Sequence, residues 1–411
     1  VTRSEDPASG SHVATILFLG LLIAGAWLRL AHLDRRPLHG DEAVGASLSL
    51  DVARTGSFLY ESANRHGPFQ YFLDGWVMRW KGTSTFWIRF PFAVLGSLLV
   101  LALLPLRPAL GDAGWLFAAS LLTLSPMFVY YSRYAIQEIL FVAATALLLS
   151  ATISFARSRR GAALFVALLA AAWMVTLKET FMIVWACLAA AALLGALLGG
   201  ARFRAALAAA ARETGRNWRW GVAGVAGGIV LVAGFYTDLF RNRAGLGNLA
   251  VNLADLVRHG ASTAAAAELH RHPLTFYLSL LGRYEWLTLA GCAAGLALAW
   301  RSRPLSLGLA LYAASTLAIQ LLLDYKTPWL LLSPLLGMAL LAGEAWGRIA
   351  PRLTRLSRTA ACCIAALLPI LLLPATLRTS FQRPADPALG LAYHHAGAEQ
   401  MDLARDIRRA M

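Results

Sequence analysis

A chain of 411 residues that is 58% hydrophobic and only 14% charged falls far below the ~25% charged residues of an average soluble domain, which excludes a water-soluble globular fold. Apolar runs near 20 residues recur, the length that crosses a ~30 Å hydrocarbon core, whereas the ~10-residue alternating segments of a membrane β-barrel are absent. The net charge of +15 sits mainly in short arginine-rich connections between those runs, so it reports topology and excludes nucleic acid as a partner.

In chain order, eleven spans are predicted: 13–31, 90–106, 113–131, 139–156, 161–177, 181–200, 220–237, 284–300, 305–323, 328–346 and 359–377. The fold class is an all-α polytopic membrane protein. The first span has a charged start but no small-residue cleavage site, and it runs on into WLRLAHL, so it reads as a retained helix. A long loop over 32–89 follows, and it opens with RRPLHGDEAV at 35–44. Residues 42–54 have apolar positions at helical spacing, with Asp41 placed to cap the helix. The turn-rich stretch 55–68 leads to PFQYFLDGWVMRW at 68–80, a second amphipathic helix with proline at its first turn. Two helices are therefore expected to lie on the outer membrane surface, roofing the mouth of a helical bundle.

The connections at 157–160, 202–219, 301–303 and 348–358 are arginine-rich and nearly acid-free. They should be cytoplasmic, which puts the N-terminus inside and, after eleven spans, the C-terminus outside. Most carboxylates fall on the other side, including those of a second long outer loop at 238–283. Residues 1–377 read as one transmembrane domain and 378–411 as a short polar outer tail, with a strand expected at 389–395 and an amphipathic helix at 398–411. Cys187, Cys292, Cys362 and Cys363 lie inside predicted spans and read as small packing residues.

The adjacent acids Asp41 and Glu42 admit two readings: helix capping with a solvated neighbour, or carboxylates facing a cavity under the surface helices. In the second reading one of them takes a proton from an acceptor hydroxyl, or the pair shares a divalent cation. Glu138 directly precedes an apolar run, and acids at a membrane edge are costly. Converging with Asp41, it would complete a two-acid site. Arg133 either snorkels to headgroups or joins an anion site. The three lysines, Lys81, Lys178 and Lys326, all fall on the predicted outer side. Lys178 beside Glu179 and Lys326 beside Asp324 are local ion pairs or phosphate-binding point charges, and Arg89 adds a planar fork for the same purpose. His39 and His66 share the first outer loop with three acids but lack the tight spacing of a histidine metal site.

The blocks HGDEA (39–43), YESANRHGPFQYFL (60–73), YSRYAIQE (131–138), LKET (177–180), HPLTFYLSLLGRYEW (272–286) and YKTPWL (325–330) together resemble the GT-C membrane glycosyltransferases. They look similar to the protein mannosyltransferase and aminoarabinose transferase branch, and most of all to the prokaryotic flippase-activity-associated proteins. The resemblance implies a GT-C helical bundle and a site at the outer face of the cell membrane. It implies a polyprenyl-phosphate-linked sugar donor and an inverting transfer to a glycan, lipid or protein acceptor, with Asp41 as base. Glu138 stands where the wider superfamily often has Asp. Tyr60, His66, Glu179 and Tyr325 fall in matched blocks and join His39, Arg89, Arg133, Lys178 and Lys326 as expected substrate contacts. The soluble outer domain that members of the close family often carry is expected to be missing or vestigial. The rival readings are a transporter or flippase of lipid-linked sugars, and a non-catalytic partner of such a pathway. Scarce mid-span charge disfavours the transporter.

Overall fold

A computed structural model describes residues 7–61, 66–259, 270–299, 303–353 and 357–393. Among them the chain is helical, and the sole strand-like pairing is an isolated antiparallel bridge between Arg271 and Tyr325. Eight helical segments are long and apolar enough to cross a membrane, and Gly161–Val175 and Trp286–Ala299 are shorter apolar helices.

The chain begins with α1 (Pro7–Leu30), α2 (Gly40–Thr55), α3 (Phe69–Lys81) and α4 (Thr85–Leu98). Both helices expected in the first outer loop are present, as α2 and α3, and they pack on each other. The cap of α2 differs from expectation. His39 holds the N-cap position, its ring accepting from the Asp41 backbone N–H, while Glu42 reaches back to the His39 N–H. This is a reciprocal capping box with a histidine in the serine position. Asp41 sits inside the first turn, where its charge favours the helix dipole.

The helical stretch Thr85–Leu124 holds the second and third predicted spans as two separate helices. It includes α5 (Arg107–Leu124) and breaks at Gly111, whose φ of 72° is left-handed. The third span ends sooner than expected. Ser125 leaves the helix and Pro126 starts α6 (Pro126–Ser132), because proline has no N–H to continue the ladder. Then follow α7 (Glu138–Ser158), α8 (Gly161–Val175), α9 (Phe181–Leu198), α10 (Gly200–Arg216), α11 (Trp218–Tyr236) and α12 (Ala244–His259). The arginine-rich stretch expected as a connection at 202–219 is thus largely helix. The chain continues with α13 (Thr275–Tyr284), α14 (Trp286–Ala299), α15 (Pro304–Leu322), α16 (Leu332–Ile349), α17 (Arg358–Leu367) and α18 (Leu373–Leu377).

The centre of the bundle is α5, α6, α7 and α16, most of whose residues are buried. In lipid no hydrophobic force drives one helix onto another, so close van der Waals contact between backbones does much of the packing. Gly343 and Gly347 form a G-x-x-x-G stripe on α16 facing Gly114 of α5. A methyl on Gly343 would meet the Gly114 carbonyl oxygen at 2.6 Å and the Ala118 Cβ at 2.8 Å. Gly343→Ala should therefore destabilise the protein by about 1–3 kcal/mol, the cost of overpacking. A lower midpoint of thermal unfolding in detergent checks this.

Helices α7 and α15 run antiparallel and define two ends. One gathers Glu138 and Gln320; the other gathers Arg157 and Arg303. The tail does not stand apart. Residues 378–382 extend the last helical segment, and the chain then docks back on the bundle. The hydroxyls of Tyr130, Tyr131 and Tyr284 donate to the carbonyls of Pro384, Leu391 and Leu389. The strand expected at 389–395 does not form over 389–393, and the helix expected at 398–411 lies outside the described residues.

Candidate active site at the acidic end

The two adjacent acids part company. The Glu42 side chain is 0% exposed. Its oxygens accept from Arg89 Nε at 2.7 Å and Nη2 at 2.6 Å, from the His39 N–H at 2.9 Å and from the Ala135 N–H at 2.8 Å. Burial alone would raise this carboxyl, but the Arg89 fork, with Arg36 and the His39 amide, outweighs it and holds Glu42 down at about 2. Arg89 in turn places its remaining N–H groups on the carbonyls of Leu33, Arg36 and Pro37, so all five of its donors are engaged. The pair is a strut that fixes the chain entering α2 to α4 and to the segment before α7.

Arg133 also lies inside the structure. Its guanidinium donates to the carbonyls of Leu28, Arg29, Ala31 and His32, closing the C-terminus of α1, whose last carbonyls have no intrahelical partner. Burial and then repulsion from Arg36 and Arg89 lower it to about 9.

Asp41 points the other way, with its side chain 58% exposed and 3.8 Å from His39 Nδ1. The imidazole is held at both nitrogens. Nε2–H donates to the Tyr393 carbonyl at 2.9 Å, and Nδ1 accepts from the Asp41 N–H at 3.0 Å. A carbonyl only accepts, so the Nε2–H tautomer follows. Burial lowers the His39 pKa, which keeps the ring neutral. Tyr393 is anchored too, since His270 and His272 both hydrogen-bond its hydroxyl, at 2.8 and 2.9 Å. Trp329 meets the rings of His39, Tyr134 and Tyr393 at 6.0, 6.1 and 5.9 Å.

Trp329 also forms a wall of a cavity of about 20 Å³, lined by Glu138, Lys178 and Gln320 together with apolar residues such as Phe141, Ile183 and Val184. That space admits a water. The Lys178 ammonium donates to Glu138 Oε1, while Glu138 Oε2 and Gln320 Oε1 are buried without a protein partner. The neighbouring loop is latched on by its backbone. The N–H groups of Gly67 and Phe69 donate to the carbonyls of Leu177 and Thr176. A Cβ at Gly67 would meet the Thr176 oxygen at 2.2 Å, so only glycine allows this approach. The latch puts His66 Nδ1 3.0 Å from Glu179 Oε2. Burial works to raise Glu179, and His66 and Lys178 outweigh it.

Tyr325 ties the two sides together. Burial raises its hydroxyl, Lys178 opposes this, and the charges of Glu138, Asp41 and Glu179 add to it. Asp41, Glu138, Lys178, Glu179 and Tyr325 thus share one electrostatic neighbourhood. Lys326 follows, its ammonium donating to the Leu323 carbonyl and its amide to the His270 carbonyl. Tyr60 meets Tyr236 edge-on and its hydroxyl accepts from Asn252; burial raises the pKa of that hydroxyl, and the Glu179 charge adds to the rise. Trp329 and His272 lie in the matched blocks YKTPWL and HPLTFYLSLLGRYEW, whereas Tyr393 and His270 carry no role in the sequence reading. The HRH triplet at 270–272 was the available signal.

A divalent cation shared by Asp41 and Glu42 does not fit this donor set, because both Glu42 oxygens already accept from Arg89 and from backbone amides. Among the described residues no three His, Cys, Asp or Glu side chains converge as ligands.

No family model and no curated protein sequence matches the chain. Solved structures do. ArnT from Cupriavidus metallidurans, bound to undecaprenyl phosphate, is 15% identical with a TM-score of 0.62, over 91% of this chain and 79% of ArnT. An Archaeoglobus fulgidus oligosaccharyltransferase tethered to an acceptor peptide is 12% identical with a TM-score of 0.57, over 94% of this chain and 56% of the other. The arabinosyltransferase EmbB from Mycobacterium smegmatis is 14% identical with a TM-score of 0.51, over 86% and 32%. The chain has the GT-C membrane glycosyltransferase fold.

Proposed function

We propose that this protein is a membrane glycosyltransferase that moves a sugar from a polyprenyl-phosphate donor to an acceptor hydroxyl at the outer membrane face. The observation that carries this reading is the pairing of an exposed carboxylate on a rigid mount with a buried lysine beside a small cavity between apolar helices. Asp41 is held by its own backbone through His39, and His39 is held by Tyr393. That leaves the Asp41 oxygens open to an acceptor. The GT-C fold and the undecaprenyl phosphate bound to ArnT support a lipid-phosphate donor.

In this mechanism α9 and α15 part to admit the prenyl chain beside α7, because the cavity at Lys178 holds only a water when closed, and the phosphate comes to Lys178. Asp41 takes the proton of the acceptor hydroxyl. The acceptor oxygen bonds to the anomeric carbon from the face opposite the phosphate, the carbon–oxygen bond to phosphate breaks, and the configuration inverts. Charge growing on the leaving phosphate is met by the Lys178 ammonium in a low-dielectric site, where such stabilisation is strongest. Glu138 holds Lys178 charged and placed.

Lys178→Gln should cut kcat/KM for the lipid donor by about ten- to hundredfold, the worth of a charge-assisted hydrogen bond, with the acceptor KM unchanged. Steady-state transfer kinetics with each substrate varied in turn check this. An unchanged kcat/KM for the lipid donor, or an effect confined to the acceptor KM, would remove Lys178 from the donor site. Labelled donor crossing liposomes without any acceptor would favour a flippase instead.

A further inference from the structure

A cavity of about 620 Å³ opens at the arginine-rich end, between α7, α8, α9, α10 and α15. This lies within the ~300–1,000 Å³ range of ligand pockets. It shares α7, α9 and α15 with the small cavity at Lys178 but uses their opposite ends, so the two are separate. Its walls are mostly apolar, and the exposed Arg157 and Arg303 line it at the last turn of α7 and just before α15. One polar group stands out. Glu344 of α16 lines the cavity and is 4% exposed. Its Oε1 accepts from Ser306 Oγ at 2.5 Å, with Arg348 at 3.7 Å. Its Oε2 is buried with no partner in the protein. A carboxylate oxygen without a donor, inside a membrane-embedded bundle, is costly, and a donor brought in from the cavity would relieve that cost.

We propose that this cavity binds a glycerophospholipid with a primary-ammonium head, of the phosphatidylethanolamine class. One acyl chain fills the space among Leu149, Leu188 and Leu309, the phosphate meets Arg157 and Arg303, and the ammonium donates to Glu344 Oε2. Each part answers a separate feature: apolar walls, a cationic mouth and an unpaired anionic acceptor. Phosphatidylcholine supplies the chain and phosphate but no N–H donor. Phosphatidylglycerol supplies hydroxyl donors but no positive charge. The site is independent of the sugar-transfer reading, because none of its residues belongs to the acidic end.

The test is native mass spectrometry of the delipidated full chain, titrated with the three phospholipids carrying identical acyl chains. Phosphatidylethanolamine should bind about tenfold more tightly than phosphatidylcholine, the usual order for one charge-assisted contact. Glu344→Gln should erase that preference while leaving phosphatidylcholine binding unchanged, which also shows the variant is folded. Arg157→Gln with Arg303→Gln should weaken all three lipids alike. Equal affinities in the wild type, a preference that survives Glu344→Gln, tighter binding of phosphatidylglycerol, or displacement by equimolar undecaprenyl phosphate would each overturn the proposal.

Discussion

Asp41→Asn should lower the rate of sugar transfer by about 10²–10⁴-fold, the usual contribution of a general base, and shift thermal unfolding only slightly. The substitution keeps the shape of the side chain and removes its proton affinity. Stability should fall by no more than about 1 kcal/mol, the lost interaction with the helix dipole, because the Asp41 side chain is more than half exposed and its one ionic neighbour, His39, lies 3.8 Å away. The capping interaction survives as well, since it uses the Asp41 backbone N–H rather than its carboxylate. The readout is release of polyprenyl phosphate from a lipid-linked sugar, measured beside a melting curve for the same preparation. A variant that turns over at the wild-type rate removes Asp41 from the chemistry. A variant that loses activity and melting temperature together shows a structural role instead.

Arg89→Ala should have the largest effect on stability, about 3–5 kcal/mol, because it leaves a buried charge without its partner. It strands Glu42, which is 0% exposed, and frees the carbonyls of Leu33, Arg36 and Pro37 at once. Glu42 also gives the fold an acid limit. Its carboxyl lies at about 2 in the folded protein against an ordinary 4.5, so between those values the unfolded chain binds more protons than the folded one. The stabilisation is complete above pH ~4.5 and is lost as pH falls toward 2. Glu42→Gln should flatten that part of the stability–pH curve. Denaturant unfolding of wild type and both variants across pH 2.5–7, with about equal spacing, measures the two effects. An acid limb that persists unchanged in Glu42→Gln would assign it to another carboxylate.

The membrane-spanning architecture was legible because hydrocarbon imposes length and apolarity on each segment, and both surface helices were legible from apolar spacing. The break at Ser125 was harder, since the apolar run continues straight through Pro126. The pairing of the acids was not legible. Residues 41 and 42 are neighbours in sequence, but helical geometry turns them about 100° apart, sending one to solvent and the other into Arg89. Arg89 and Arg133 read as open cations from sequence because an arginine that ties up helix ends is chemically identical to one that awaits a phosphate. What separates them is a set of carbonyl partners from distant segments. The same limit hid Tyr393, which reaches His39 across more than 350 residues of chain. Lys178 and Glu138 were legible as charges at span ends, although their mutual pairing was not.

The most direct measurement is a structure of the full chain with undecaprenyl phosphate bound. The account predicts the phosphate at the acidic end, within hydrogen-bonding reach of the Lys178 ammonium, with the prenyl chain between α7, α9 and α15 and with Asp41 facing the side from which an acceptor approaches. A phosphate seated at the arginine-rich end, or held on a face that Asp41 and Lys178 do not share, would contradict it.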